Sequence, residues 1–195
     1  LTLDLPDGRR QHHPLVIAPR EYKIQRIDGL PSQKVTPPDS VLQRIADEAA
    51  RVARARQRDD DRLDFLTGFA WPVRGRITGV YGSQRVLNGE PRSPHYGIDI
   101  AVPTGTKVKS PADGIVTLVE EDLYYSGGTL IVDHGHGLSS TFIHLSRILV
   151  EPGQRVLLGE VVAEAGSTGR ATGPHLDWRM NWFDVRIDPG LLVPD

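Results

Sequence analysis

At 195 residues with 38% hydrophobic side chains, the chain is long enough to bury one good core and a smaller appendage. A formal charge of -2, with acidic and basic residues interspersed, excludes the single-sign field that nucleic-acid or membrane-surface binders carry. The absence of cysteine excludes disulfides and thiolate metal sites, so any zinc here takes His, Asp or Glu ligands.

The chain opens on Leu1 within LTLDL, without an initiating Met or a basic-then-apolar leader, and reads as the middle of something longer. No apolar run approaches bilayer length, so no stable membrane insertion is expected of this segment. Residues 1–37 read as a partial β-rich unit: LTLDLPDGRRQHHPLVIAP alternates apolar and polar residues around a Pro-Asp-Gly turn, the pattern of a hairpin. His12 and His13 are expected to be solvated. In VTPPDSVLQRIADEAARVARARQ the period changes, with Val41, Ile45, Ala49 and Val52 at helical spacing and Asp39 or Ser40 placed to cap. Residues 38–69 are therefore expected to form a solvated linking helix of about five turns, with RQRDDDR as its exposed end. Residues 70–195 then break into short β-rich runs separated by glycine: RITGVYG, YGIDIAV, TKVKS, DGIVTLVEED, GTLIVDHG, LSSTFIHL, QRVLLG, EVVAEAG, HLDWRM. That texture predicts a mainly β protein whose main domain is an antiparallel sandwich or flattened barrel. No helix pattern follows the glycine-rich segments, so they read as turns and not as phosphate cradles.

Five residues of this domain carry candidate chemistry: His95 and Asp99 in HYGID, His144 in FIHLS, and His175 and Asp177 in HLD. Positions i and i+2 of a strand share a face, about 6.6 Å apart, so His175 and Asp177 can address one ion or one substrate group while Leu176 and Trp178 point into apolar packing. On a straight strand His95 and Asp99 would stand about 13 Å apart, too far to share an ion with bonds of about 2 Å. The chain must bend between them; Gly97 permits it, and the preceding Ser-Pro places His95 on the incoming loop. A lone strand histidine such as His144 is more often a satisfied structural residue, and His134 and His136 in DHGHG sit in a turn. It is the co-occurrence of HxxxD, HLS and HxD in a cysteine-free β domain that points to a site.

The ordered set FAWPVRGRITGVYG, SPHYGIDIAVPTGTKVKSPADGIV, FIHLS and PGQRVLLGEVVAEAGSTGRATGPHLDW, spanning roughly residues 70–192, resembles the lysostaphin-type (LytM) zinc metallopeptidases, which cut peptide cross-links in bacterial peptidoglycan. The N-terminal part also resembles the β-rich region and connecting helix that precede this domain in envelope-located relatives. The resemblance implies one zinc held by His95, Asp99 and the second position of an HxH motif, here Asp177, with His144 and His175 as the catalytic pair. It implies peptidoglycan peptides as substrate, cell-division or wall-hydrolase partners, and a location in the bacterial envelope, in the periplasm. Arg85, in the loop YGSQRVLNGEPRSPH expected to border the cleft, is a candidate for a stem-peptide carboxylate, or else a structural arginine.

Asp177 departs from the family's usual histidine. Carboxylate is a legitimate zinc ligand at about 2.0–2.2 Å, but it takes the formal charge of zinc plus its protein ligands from +1 to 0. That predicts a weaker Lewis acid and some drift toward harder ions such as Mn2+, with Asp177→His better in metal content and in hydrolysis. Two other readings compete: a binding module of this fold that regulates other wall hydrolases, and a lipoyl or biotinyl carrier suggested by ADGIV and GQRVLLGEVVAEAG. A carrier needs a lysine at a hairpin tip, whereas Lys107 and Lys109 alternate along one apparent strand.

Overall fold

The computed structural model describes residues 1–194. Its strands are β1 (Thr2–Asp4), β2 (Arg10–His12), β3 (Ile24–Ile27), β4 (Arg76–Gly79), β5 (Gln84–Leu87), β6 (Glu90–Pro91), β7 (Ile98–Ala101), β8 (Lys107–Lys109), β9 (Gly114–Leu123), β10 (Gly127–Asp133), β11 (Leu138–Ile148), β12 (Arg155–Val156), β13 (Val161–Ala165), β14 (His175–Trp182) and β15 (Val185–Ile187). Ten of them form one antiparallel sheet in the order β12-β9-β10-β11-β14-β7-β4, with β13 linking β11 to β8 and β15 pairing with β14. Because the sheet branches at β11, Val108 of β8 and Val162 of β13 join the same core as Leu130, Phe142 and Trp178. This is the mainly β, antiparallel architecture that the alternation predicts.

Two central strands show how local pattern becomes a face. On β14 Leu176, Trp178 and Met180 are fully buried in the core, and on β7 so is Ile100. Each large apolar side chain placed there contributes about 1.5–3 kcal/mol. With a side-chain period of two, His175, Asp177, Arg179 and Asp99 are left on the opposite face.

The N-terminal residues form the β1–β2 hairpin around Pro6–Gly8, with Thr2 opposite His12, and His12 and His13 are exposed. Several local expectations differ from the fold. The α-helix spans Leu42–Ala55, about four turns, and neither Asp39 nor Ser40 caps it: Pro38 keeps the chain extended and a 3-10 turn over Asp39–Val41 leads in. Nor is the helix simply solvated, since Arg51 pairs with Glu120 at 2.6 Å and Glu48, buried, accepts from Tyr124 N at 2.7 Å. The RQRDDDR run is exposed at Gln57, Arg58, Asp59 and Asp61 as expected, but Arg62 docks, clamping the buried Asp133 carboxylate at the end of β10, because a charge so far from water needs a partner. Finally, the stretch read as the loop YGSQRVLNGEPRSPH contains β5 and β6, and β5 takes β3 as a parallel neighbour, a pairing between distant segments that local periodicity cannot show. Among the described residues, no helix is long and apolar enough to cross a membrane.

His134 is a structural residue. Its Nδ1 donates to the Asp113 carbonyl at 2.6 Å, Nε2 meets Ser140 Oγ at 2.8 Å, and burial pushes its pKa down to about 4. In the unfolded chain it would protonate near 6.5, so between pH 6.5 and 4 the unfolded state holds the extra proton and stability falls as pH drops, by up to about 3 kcal/mol from this residue. His134→Gln is expected to lower the slope of melting temperature against pH in that window, with the similarly shifted His144 contributing in the same direction. An unchanged slope would remove His134 from the account.

Candidate metal centre

β7 and β14 run antiparallel with Asp99 directly opposite Asp177, which places two carboxylates side by side on the face turned away from the core. His95 precedes β7 in a loop. Its backbone is tied to the 82–83 segment, His95 N donating to Ser83 O at 2.8 Å and Gly82 N to His95 O at 2.7 Å. The bend turns the imidazole back over the strand, so that Nε2 lies 3.1 Å from Asp99 Oδ1 and 3.2 Å from Asp177 Oδ2. Gly97 serves this bend through its size, not through a left-handed backbone: a Cβ there would sit 2.4 Å from Asp177 Oδ1 and 2.8 Å from Trp178 O.

The donors His95, Asp99 and Asp177 are all buried, and one ligand atom from each lies within 4.8 Å of the others. Tetrahedral ligands with bonds of about 2.0–2.1 Å stand about 3.3 Å from one another, close to the two separations found here. Asp99 Oδ1 is buried and has no hydrogen-bond partner, a vacant lone pair aimed into the cluster. An N,O,O donor set with an orphaned carboxylate oxygen fits a divalent cation of the zinc or manganese kind.

Electrostatics keep the two carboxylates ionised. Burial opposes charge on all three groups, and for Asp99 the neighbouring Asp177 carboxylate opposes it further. Even so, His95 and Arg85 hold Asp99 below the usual carboxylate range. Arg179 and His95 hold Asp177 well below it, and the two carboxylates raise the imidazole of His95. Arg85 Nη2 donates to Asp99 Oδ2 and leaves Oδ1 for the cluster. Arg179 grips Asp177 with two prongs, Nη2 to Oδ2 at 2.6 Å and Nε to Oδ1 at 3.0 Å. Sequence reasoning missed Arg179, although its place two residues beyond Asp177 puts it on the same strand face.

His144 and His175 stand next to this cluster with ring centroids 4.8 Å apart, and His175 Nε2 lies 3.9 Å from Asp99 Oδ1. The register of β10 against β11 slips by one residue between the Gly128–Leu145 and Leu130–Phe142 pairs. His144 occupies this bulge at φ 64°, re-aimed out of the strand's alternation. Its Nδ1 meets Thr168 O at 2.7 Å and that of His175 meets Gly173 O at 2.8 Å. A carbonyl can only accept, so each Nδ1 carries a proton and Nε2 is the ring nitrogen left for chemistry. Burial pushes the His144 pKa down to about 4, so this ring is neutral near pH 7. Together with Asp99, Arg85, Arg76 and Arg170 the pair lines a cleft of about 300 Å3, to which Gln25, Ile27 and Leu30 of the N-terminal part also contribute. His134 and His136 lie outside the cluster, His136 edge-on to Phe65.

Residues 93–189 match the profile of peptidase family M23. Among curated proteins, the chain is 40% identical over 88 residues to the peptidoglycan DD-endopeptidase ShyA of Vibrio cholerae, an alignment covering 45% of this chain and 20% of that relative, so the chain spans a fifth of its length. Among solved structures, a putative peptidase M23 from Pseudomonas aeruginosa is 40% identical with a TM-score of 0.68, covering 78% of this chain and 62% of that one. A zinc-containing peptidase from Vibrio cholerae is 35% identical with a TM-score of 0.58, covering 62% of this chain and 39% of that one.

Proposed function

We propose that this chain, which belongs to peptidase family M23, is a metal-dependent endopeptidase that hydrolyses amide bonds in the peptides of bacterial peptidoglycan. The observation that carries the reading is the convergence of one imidazole nitrogen and two carboxylates, buried and within 4.8 Å, beside two histidines whose Nδ1 protons are committed to backbone carbonyls. His95, Asp99 and Asp177 would hold the ion, which when bound supplies Lewis-acid polarisation of the scissile carbonyl and acidification of a water. The zinc-containing relative favours zinc as that ion.

The chain's own residues do the proton work. The Nε2 atoms of His144 and His175 can take the proton of an attacking water and return it to the departing amine. Once protonated, the same nitrogen is a donor to the oxyanion that develops on the former carbonyl oxygen. Arg85 spends Nη2 on Asp99 and Arg170 spends Nη1 on Lys34 O, which leaves a substrate carboxylate first of all to the exposed Arg76 of the same cleft. The name of the ShyA relative supports peptidoglycan as the polymer; the place of action would then be the bacterial envelope, on the periplasmic side. Residues 70–195 would be the catalytic unit, with cell-division or other wall-hydrolase proteins as partners.

Zinc-loaded protein incubated with purified peptidoglycan is expected to release muropeptides shortened at a cross-link or stem amide, identifiable by mass. A chelator should abolish release and added zinc restore it. Tight binding to the polymer with one zinc per chain and no cleavage would replace the enzyme with a regulatory binding module.

A further inference from the structure

The carboxylate at position 177 does not stand alone. Asp177 and Arg179 project from the same face of β14, and both guanidinium prongs engage the carboxylate. Asp177 is 1% exposed and Arg179 about a quarter exposed at the side chain, so solvent screens this pair weakly. Asp177 Oδ2 also faces His95 Nε2 at 3.2 Å, so the guanidinium fixes the orientation in which that oxygen meets the cluster. No room is left for another orientation on the Gly97 side, where even a methyl group would collide with Asp177 Oδ1 and with Arg179 Cγ, at 2.4 and 2.6 Å.

We propose that Asp177 and Arg179 act as one neutral unit in place of the neutral imidazole that the family resemblance implies at this position, with Arg179 as the residue that orients the ligand carboxylate and cancels its charge. The inference rests on the metal-site reading above. Formally, an imidazole contributes zero charge to the centre, and so does a carboxylate bonded to its own guanidinium. The ion is therefore as electron-poor as with histidine, and the drift toward a weaker Lewis acid expected from Asp177 alone is offset. The two positions must be exchanged together. Asp177→His by itself strands a guanidinium beside a dication with nothing to neutralise it, and so harms the site that it would formally restore.

A double-mutant cycle tests this on folded protein checked by circular dichroism, with zinc affinity measured by chelator competition at one pH. Asp177→His is expected to bind zinc at least ten-fold more weakly than wild type, and adding Arg179→Met to it should recover most of that loss. Arg179→Lys, which keeps the charge but not the two-pronged grip, should fall between wild type and Arg179→Met. If Asp177→His does not fold, Asp177→Asn serves: adding Arg179→Met must then raise its zinc affinity. Independent effects at the two positions, or an Asp177→His protein that binds zinc as well as wild type with Arg179 in place, would overturn the pair while leaving the metal site standing. Wild-type protein that takes up no zinc would instead overturn the metal reading and the pair with it.

Discussion

Replacing His144 with alanine is expected to lower peptidoglycan hydrolysis by about 10²–10⁴-fold, the usual worth of a positioned general acid or base, while one zinc per chain stays bound. His144 is separate from the three donors of the cluster, and its Nδ1 is spent on Thr168 O. Only Nε2 is free for chemistry, and the low pKa of about 4 keeps it unprotonated at neutral pH. The fold holds this ring at some cost, in a bulge at positive φ where a non-glycine residue is uncommon. Alanine keeps the Cβ that disfavours positive φ and loses the Nδ1 bond to Thr168 O, so a modest loss of stability is expected beside the loss of activity. His175→Ala is expected to fall in the same range, and the double variant little further, because the two rings serve one proton path. Full hydrolysis by the double variant, measured by released muropeptides, would sink the catalytic assignment. Loss of zinc along with activity would recast His144 as a structural support of the centre.

Gly97→Ala is expected to be nearly as damaging from outside the reacting atoms. The added methyl would meet Asp177 Oδ1 at 2.4 Å, Arg179 Cγ at 2.6 Å and the Trp178 carbonyl at 2.8 Å. The carbonyl belongs to a central strand whose Trp178 side chain is fully buried, so β14 cannot retreat. What can move is the Asp177–Arg179 pair or the His95–Gly97 bend, and either shift pulls a donor away from the others. A displacement near 1 Å at such a site costs about 10²-fold in rate. Zinc content should drop below one per chain at a zinc concentration that saturates wild type. Wild-type zinc content and rate in Gly97→Ala would show that the bend is not what holds His95 against the strand pair.

Much of this site could be read locally. Alternation along HLDWRM puts His175 and Asp177 on one face and Leu176 and Trp178 on the other, and the same count extended by two residues reaches Arg179. The four ordered motifs pointed to the family, and the need for a bend between His95 and Asp99 followed from strand geometry alone. Other features were out of reach of any window. That Asp99 stands opposite Asp177 is a matter of register between strands nearly eighty residues apart, decided by which alignment buries Ile100, Leu176 and Trp178 together. That His144 leaves its strand's alternation depends on a one-residue slip against β10, and Gly97 turned out to matter for its size and not for its φ. The partners of Arg85 and Arg62, and the pairing of β3 with β5, were equally invisible. By itself the sequence determined the strand faces, the donor types and the family, because side-chain alternation and residue chemistry are local properties. Only the tertiary structure decided which donors meet and which arginines neutralise them, because register, bulges and ion pairs are settled by contacts between segments far apart in the chain.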